Sequence, residues 1–146
     1  MRLIFLDIDG VLNAAGGRYD GEPVIVHECV QRLNRVLDAT KARVVISSSW
    51  RHIVHGRQMS EVGFEYLLWS HGLKCKVWGV TCKDNEAQGR GKQIAAWLAE
   101  NDPVESYVVI DDDSHDFREC GHPFVKTDGT KGISEQDADL TIKLLT

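Results

Sequence analysis

Short apolar runs alternate along this chain with longer segments whose apolar residues recur every three or four positions. Runs of four to six residues that are rich in Val and Ile are typical of buried strands. These runs lie at 3–6, 43–46, 75–80 and 107–110, and 123–125 predicts a short edge strand. Helical spacing predicts helices over 26–40, 60–71 and 88–100, and Ser134 caps a fourth. The stretch 14–22 contains three glycines without periodicity, so we expect a loop there.

The alternation of strands and helices predicts an α/β fold, a three-layer Rossmann-like sandwich with a mostly parallel central sheet. With 146 residues, the chain fits one domain (1–146) that can bury a core of its own. We expect the apolar side of helix 60–71 to consist of Val62, Tyr66, Leu67 and either Leu68 or Trp69. Trp69 and Trp97 fall on apolar helical faces, so we expect both in the core.

Composition and charge narrow the class of protein. Hydrophobic residues make up 42% of the chain and charged residues 27%, which is ordinary for a globular protein. We find neither a membrane span nor a signal peptide, so we expect a cytoplasmic protein. The four cysteines lack CxxC spacing and are expected to be reduced thiols, with Cys120, His122 and His115 as a minor zinc alternative. A net charge of −5 argues against a broad duplex-binding surface, but 51–57 with Arg90 and Lys92 could form a local basic pocket.

The most informative segment is Asp7-Ile8-Asp9-Gly10, which directly follows the first predicted strand. Two buried carboxylates repel each other, so the pair requires a cation, a proton or a reaction. Gly10 supplies the conformational freedom for a tight turn. A calcium loop of the EF-hand kind would need a preceding helix and a later glycine. The segment therefore favours a magnesium-dependent phosphoryl-transfer site over a calcium loop or two surface aspartates.

Polar side chains follow two further predicted strands at the same point. Ser47-Ser48 comes directly after the second strand, and Asp111-Asp112-Asp113 comes after the fourth. Because the carboxyl ends of parallel strands meet at one edge of a sheet, we expect these segments to converge with the first carboxylate pair. Carboxylates suit Mg²⁺, hydroxyl and amide groups can hold phosphate, and Lys92 adds a positive charge in the first turn of its helix. Phosphate-ester hydrolysis through a covalent intermediate needs these parts.

Together these segments resemble the haloacid dehalogenase (HAD) superfamily. Its four motifs are matched in order, over about residues 3–116, by Asp7-Ile8-Asp9-Gly10-Val11-Leu12-Asn13, Val44-Val45-Ile46-Ser47, Lys92 and Val109-Ile110-Asp111-Asp112. HAD domains associated with RNA-repair proteins are similar in further segments, namely 46–51, the helix of Arg90 and Lys92 with Trp97-Leu98, and 125–128 before Gly132-Ile133. The phosphatase half of phage polynucleotide kinase-phosphatase is a more distant likeness.

The resemblance implies a role for each matched residue. Asp7 would be the nucleophile that forms an aspartyl-phosphate, and Asp9 would protonate the leaving oxygen and then activate water. Ser47 would hold phosphate, and Lys92 would neutralise both phosphate and Asp7. Mg²⁺ would be held by Asp7, the backbone carbonyl of Asp9, Asp111 and Asp112. An acidic residue at the place of Asp9 separates phosphatase-type members from dehalogenases.

Two choices within the motifs stay open. Ser48 could replace Ser47 as the phosphate ligand, although strand register favours Ser47. The triple aspartate leaves open which carboxylates contact the metal, and Asp113 could face solvent. Substrate contacts are expected from Gly10, Ser48, Trp50, Arg51 and Arg90.

The intervals between the matched motifs, 14–42 and 52–91, are too short for the cap domain that many HAD enzymes insert. A capless HAD core admits a bulky substrate, so we expect a Mg²⁺-dependent phosphomonoesterase that acts on a nucleic-acid end or a nucleotide phosphate. An RNA- or DNA-repair protein is an expected partner. The alternatives are a sugar or metabolite phosphatase, a phospho-accepting receiver-like domain and an inactive HAD binding module.

Overall fold

The computed structural model describes residues 1–14, 18–19, 22–23, 25–47, 60–81 and 89–146. In chain order the strands are β1 (Arg2–Leu6), β2 (Arg18–Tyr19), β3 (Glu22–Pro23), β4 (Arg43–Ile46), β5 (Val77–Val80), β6 (Ser106–Asp111) and β7 (Phe124–Lys126). The helices are α1 (His27–Thr40), α2 (Glu61–Ser70), α3 (Arg90–Glu100) and α4 (Glu135–Leu145). No helix in this described part of the chain is long and apolar enough to cross a membrane.

The central sheet has five strands in the order β5-β4-β1-β6-β7, and every neighbouring pair is parallel. The chain passes from β1 outward to β4 and β5, and then returns to β6 and β7 on the other side of β1. Such a reversal opens a crevice beyond the carboxyl ends of the two central strands, here β1 and β6. The predicted α/β fold with a parallel sheet is confirmed.

Apolar side chains cover both faces of the sheet. On β1, Ile4 and Leu6 point to a core that α1, α2 and α4 complete. Leu3 and Phe5 point to the opposite face, where α3 and Phe117 pack. Because successive side chains of a strand point to opposite faces, an apolar run such as β1 indicates burial from both sides. The three layers expected from the sequence are therefore present.

The helices form where the sequence predicts them, and their bounds differ by a few residues. The stripe at helical spacing on α1 is buried: Cys29, Val30, Leu33, Val36, Leu37 and Thr40. Ser134 begins α4 with a capping box, in which its hydroxyl accepts from Asp137 N–H while the Asp137 carboxylate accepts from Ser134 N–H. The strand predicted at 75–80 begins at Val77, and the helix predicted from 88 begins at Arg90.

The predicted apolar side of α2 is wrong in part. Leu67 and Leu68 pack in or against the core as expected. Val62 and Tyr66, which we expected on its apolar side, are 79% and 78% exposed. The side chains that α2 buries are Phe64 and Leu68. Apolar residues occupy several sides of this ten-residue helix, so periodicity alone did not determine which side packs on the sheet.

Two further expectations are corrected. Trp69 is 54% exposed, and its indole N–H donates to the Cys75 carbonyl at 2.6 Å, so it lies outside the core. Trp97 does pack against the core, with its ring edge-on to Phe5 at a centroid distance of 5.6 Å. The stretch 14–22, expected to be a loop, contains β2 and begins β3, a pair of two-residue antiparallel strands. Strands this short carry no readable alternation of apolar and polar residues.

Candidate active site

The register of the central strands brings Asp7, Ser47 and Asp111 to one edge of the sheet. Leu6 lies opposite both Ile46 and Ile110, so the next residue of each strand lies at the same level. Two backbone hydrogen bonds extend this order past the strand ends: Asp7 N–H donates to the Ile110 carbonyl at 3.0 Å, and Ser47 N–H donates to the Leu6 carbonyl at 2.9 Å. The convergence expected from the sequence is therefore present for these three residues.

Three carboxylates form the centre of the site. Asp7, Asp111 and Asp112 each offer an oxygen, and these oxygens lie within 4.8 Å of one another. Asp7 and Asp111 are buried, at 6% and 1% exposure, and Asp112 is partly buried. Burial raises the pKa of Asp7 and of Asp111, and in Asp111 the charge of Asp7 raises it further. A divalent cation would relieve this repulsion, and three hard oxygen donors within this distance of one another fit Mg²⁺.

Arg90, the first residue of α3, is the cation that lies against these carboxylates. Its guanidinium Nη1 is 3.7 Å from Asp7 Oδ1 and 3.5 Å from Asp111 Oδ2, and it donates to the Ser47 carbonyl at 3.0 Å. Its charge opposes the effect of burial and lowers the pKa of Asp7. Arg90 was expected to contact substrate, which stays a prediction, and the structure places it beside the expected nucleophile.

Lys92 was expected to neutralise Asp7, and the contacts do not support that position. Its side chain is exposed, and in the described part of the chain no ion pair joins it to the carboxylate cluster. Residues two apart on a helix point in nearly opposite directions, so Arg90 and Lys92 do not share a face. A contact of Lys92 with phosphate stays a prediction.

Ser47 has the environment expected of a phosphate ligand. It is 1% exposed, and its hydroxyl oxygen has no hydrogen-bond partner among the residues that the structure describes. A buried hydroxyl without a partner is costly, and proteins normally satisfy such groups. A phosphate oxygen bound in the crevice would provide that partner. The other residues expected near it, Ser48, Trp50 and Arg51, lie outside the described residues.

The turn after β1 brings Gly10 against Asp112. Gly10 has φ +83°, a left-handed conformation that glycine adopts readily, and a Cβ atom there would overlap the Asp112 carboxylate. Asn13 fixes the turn, because its side-chain oxygen accepts from Gly10 N–H at 3.0 Å and its amide donates to Asp9 Oδ1 at 3.2 Å. The Asp9 side chain is partly buried and is not one of the three clustered carboxylates. A role of Asp9 in proton transfer or through its carbonyl stays a prediction.

Two residues of the segment after β7 border the site, although the sequence indicated no role for them. Thr127 donates its hydroxyl proton to the Gly10 carbonyl at 2.6 Å. Gly129 faces Asp112 so closely that a Cβ atom would lie 2.6 Å from Asp112 Oδ2. The only available signal was the likeness of 125–128 to RNA-repair HAD domains. That likeness indicates the family and does not show which residues contact the site.

Of the residues after Asp112, some are exposed to solvent and others contact the carboxylate cluster or α3. Asp113 is exposed, as expected, and its carboxylate accepts from His115 N–H at 2.9 Å. His115 Nε2 lies 3.6 Å from Asp111 Oδ2, at the border of the cluster. Asp116 accepts from Gly91 N–H at 2.6 Å. Asp7, Asp111 and Asp112 are the only metal-ligand group found among the described residues, so the zinc alternative has no support there.

Comparison with known proteins agrees with this geometry. The sequence profile of one family, described as the HAD domain in Swiss Army Knife RNA repair proteins, matches residues 3–138. The match therefore includes the carboxylate cluster and the central sheet, apart from the first residue of β1. Searches of curated proteins and of solved structures gave no significant match. The chain belongs to the family of HAD domains found in Swiss Army Knife RNA repair proteins.

Proposed function

We propose that this protein is a Mg²⁺-dependent phosphatase that forms an aspartyl-phosphate on Asp7. The observation that supports this most directly is that Asp7, which directly follows a central strand, lies beside two carboxylates and a guanidinium. Ser47 directly follows the neighbouring strand, and its buried hydroxyl has no partner among the described residues. HAD-family membership supports phosphatase chemistry. Mg²⁺ bound by Asp7, Asp111 and Asp112 would neutralise phosphate charge and hold the phosphate against the nucleophile.

In the first chemical step, an oxygen of Asp7 attacks phosphorus, and the bond between phosphorus and the leaving oxygen breaks. Asp9 gives its proton to that leaving oxygen. In the second step, water attacks the phosphorus of the aspartyl-phosphate, and Asp9 takes the proton from the water. The bond between phosphorus and the Asp7 oxygen breaks, which releases orthophosphate and restores the Asp7 carboxylate and the protonated Asp9.

The remaining side chains stabilise charge on the transferring group. Arg90 would donate to phosphate oxygens from beside Asp7, and we assign it the neutralising role that the motif pattern gave to Lys92. Ser47 would donate its hydroxyl proton to another phosphate oxygen. Donors that are fixed before substrate binds are worth more in a water-excluded crevice than in bulk solvent.

For the substrate, we propose a phosphorylated nucleic-acid end or a nucleotide. The description of the matched family, which concerns RNA repair proteins, supports this class. The net charge of −5 disfavours broad contact with a duplex and fits recognition of a terminus. An RNA- or DNA-repair protein would be the partner that supplies or consumes such ends.

The test is phosphate release with Mg²⁺ from 3′- and 5′-phosphorylated oligonucleotides, mononucleotides and sugar phosphates. We expect release to be fastest from oligonucleotide ends, and Asp7→Asn to abolish it because an amide cannot form the acyl-phosphate. Preference for sugars or metabolites would contradict the substrate class and leave the chemistry intact. If no substrate releases phosphate, the enzymatic proposal fails in favour of a receiver-like or binding role.

A further inference from the structure

The segment that carries Arg90 is held by residues outside its own helix. α3 begins at Arg90, and its N-cap, Gly89, offers no side chain to the free amide groups of the first turn. The Asp116 carboxylate takes this role, because its Oδ1 accepts from Gly91 N–H at 2.6 Å. A Cβ atom at Gly89 or at Gly91 would lie 2.7 or 2.9 Å from that carboxylate, so the contact requires glycine on both sides of Arg90.

The Gly91 carbonyl group is held by a second side chain, that of His122. His122 Nε2 lies 2.7 Å from the Gly91 carbonyl oxygen. A carbonyl can only accept, so Nε2 bears a proton, and in the neutral ring Nδ1 is then an acceptor. The Tyr107 hydroxyl lies 2.9 Å from Nδ1 and can donate to it. Tyr107 belongs to β6 and packs edge-on against Phe5 of β1, so the His122 ring is anchored to the central strands.

The two contacts fix the main chain one residue away from Arg90. An arginine side chain has many rotamers, and its fixed position beside two carboxylates depends on where its Cα lies. Catalytic groups need placement within about 0.5 Å, which neighbouring packing and hydrogen bonds provide. The two hydrogen bonds at Gly91 restrain the residue next to Arg90 and so provide this placement. Neither Asp116 nor His122 belongs to the carboxylate cluster itself.

We propose that Asp116 and His122 are positioning residues, which hold the Gly91 peptide from both sides and thereby direct the Arg90 guanidinium at Asp7 and Asp111. This inference rests on the proposed function for its kinetic consequences, and the positioning itself can be measured without turnover. Tyr107 acts one step further away, by orienting the ring of His122.

The kinetic test is a double-mutant cycle between His122→Phe and Arg90→Ala. His122→Phe keeps the ring and removes both hydrogen bonds, so we expect kcat to fall on the order of tenfold because the guanidinium is misplaced. In the Arg90→Ala background the same change should alter kcat less than about twofold, since no guanidinium remains to be positioned. His122→Gln, whose amide can still donate to the Gly91 carbonyl, should recover part of the loss.

A matched control separates positioning from general loss of stability. Thr40→Val removes a buried hydroxyl that donates to the Val36 carbonyl at 2.8 Å, at the end of α1 that precedes β4 and is therefore far from the crevice. It should destabilise the fold to a similar degree and leave kcat unchanged. Equal losses for His122→Phe in the wild-type and Arg90→Ala backgrounds would overturn the proposal.

A measurement without substrate keeps the two proposals distinguishable. The ¹⁵N order parameter of the Arg90 Nε–H group, assigned by its loss in Arg90→Lys, reports how firmly the side chain is held. We expect a rigid value, about 0.85, in wild type and Thr40→Val, and a value below about 0.6 in His122→Phe and Asp116→Ala. An unchanged order parameter in both variants would overturn the positioning role even if the enzyme is active. Absence of any phosphatase activity would instead overturn only the proposed function.

Discussion

The buried carboxylates predict an unusual pH dependence of stability. Burial raises the pKa of Asp7 from 3.8 to about 7, against the opposing charge of Arg90. A carboxyl with a raised pKa keeps its proton in the folded protein at pH values where the unfolded chain has already released it. The contribution of Asp7 to the free energy of unfolding is therefore largest below about pH 4, and it falls as the pH rises toward 7. This sign is opposite to that of a carboxylate in a salt bridge.

The size of the effect follows from the same pKa. At ~1.4 kcal/mol for each pKa unit, the part of the titration between pH 5 and the pKa of about 7 corresponds to about 3 kcal/mol. We expect wild-type protein in EDTA to lose at least this much stability between pH 5 and pH 8 in urea unfolding, because burial also raises the pKa of Asp111 and its titration has the same sign. Asp7→Asn should lose less than wild type, because it removes this carboxyl and the charge that raises the pKa of Asp111 further. Asp7→Asn combined with Asp111→Asn should remove the dependence.

Mg²⁺ and a distant variant provide the controls. Saturating Mg²⁺ at pH 8 should stabilise wild type, by about 2.7 kcal/mol at 100 times the dissociation constant, and have no such effect on the double variant. Asp102→Asn changes an exposed carboxyl beyond the far end of α3 and should behave as wild type. Equal stability of wild type at pH 5 and pH 8 in EDTA, or a fall that persists in the double variant, would refute the reasoning.

Three further substitutions test separate parts of the account. Ser47→Ala removes a buried hydroxyl without a described partner, so its stability in urea unfolding should equal that of wild type or exceed it by up to ~1 kcal/mol. Its kcat/KM should fall at least tenfold, and a lower stability would contradict this reasoning. Gly129→Ala should weaken Mg²⁺ binding in calorimetry about tenfold, because its Cβ would displace the Asp112 carboxylate; unchanged affinity would remove Asp112 as a ligand. Ser134→Ala should cost about 1 kcal/mol of stability through the lost capping box and leave phosphate release unchanged, and a loss of activity would argue against this purely local role.

The sequence predicted which residues converge where polar side chains directly follow the ends of strands. Asp7, Ser47 and Asp111 each follow the last apolar residue of a central strand, so the rule for parallel sheets was enough to bring them together. The direction in which a helical side chain points was harder to predict. The motif pattern selected Lys92, whereas Arg90 meets the carboxylates. The hydrogen bond from Gly91 N–H to Asp116 joins this end of α3 to a distant part of the chain, and helical spacing does not reveal such a contact.

Other features could not be predicted because their causes are tertiary. α2 has apolar side chains on several sides, so only packing on the sheet decides that Phe64 is buried and Tyr66 exposed. The approach of Gly129 to Asp112 depends on the fold of the segment after β7, which has no periodic signal. The sequence offered His122 only as part of a minor zinc alternative, whereas its two hydrogen bonds link β6 to α3.

The central claim is that Asp7 becomes covalently phosphorylated, and trapping that species tests it most directly. Asp9→Asn should form the aspartyl-phosphate slowly and hydrolyse it more slowly still, because no carboxylate remains to activate water. After incubation with Mg²⁺ and a ³²P-labelled oligonucleotide end, an acid quench should leave label on Asp9→Asn protein, localised by mass spectrometry to Asp7. The double variant Asp7→Asn with Asp9→Asn should carry none. Phosphate release by wild type without label on Asp7 in Asp9→Asn, or with label on another residue, would contradict the account.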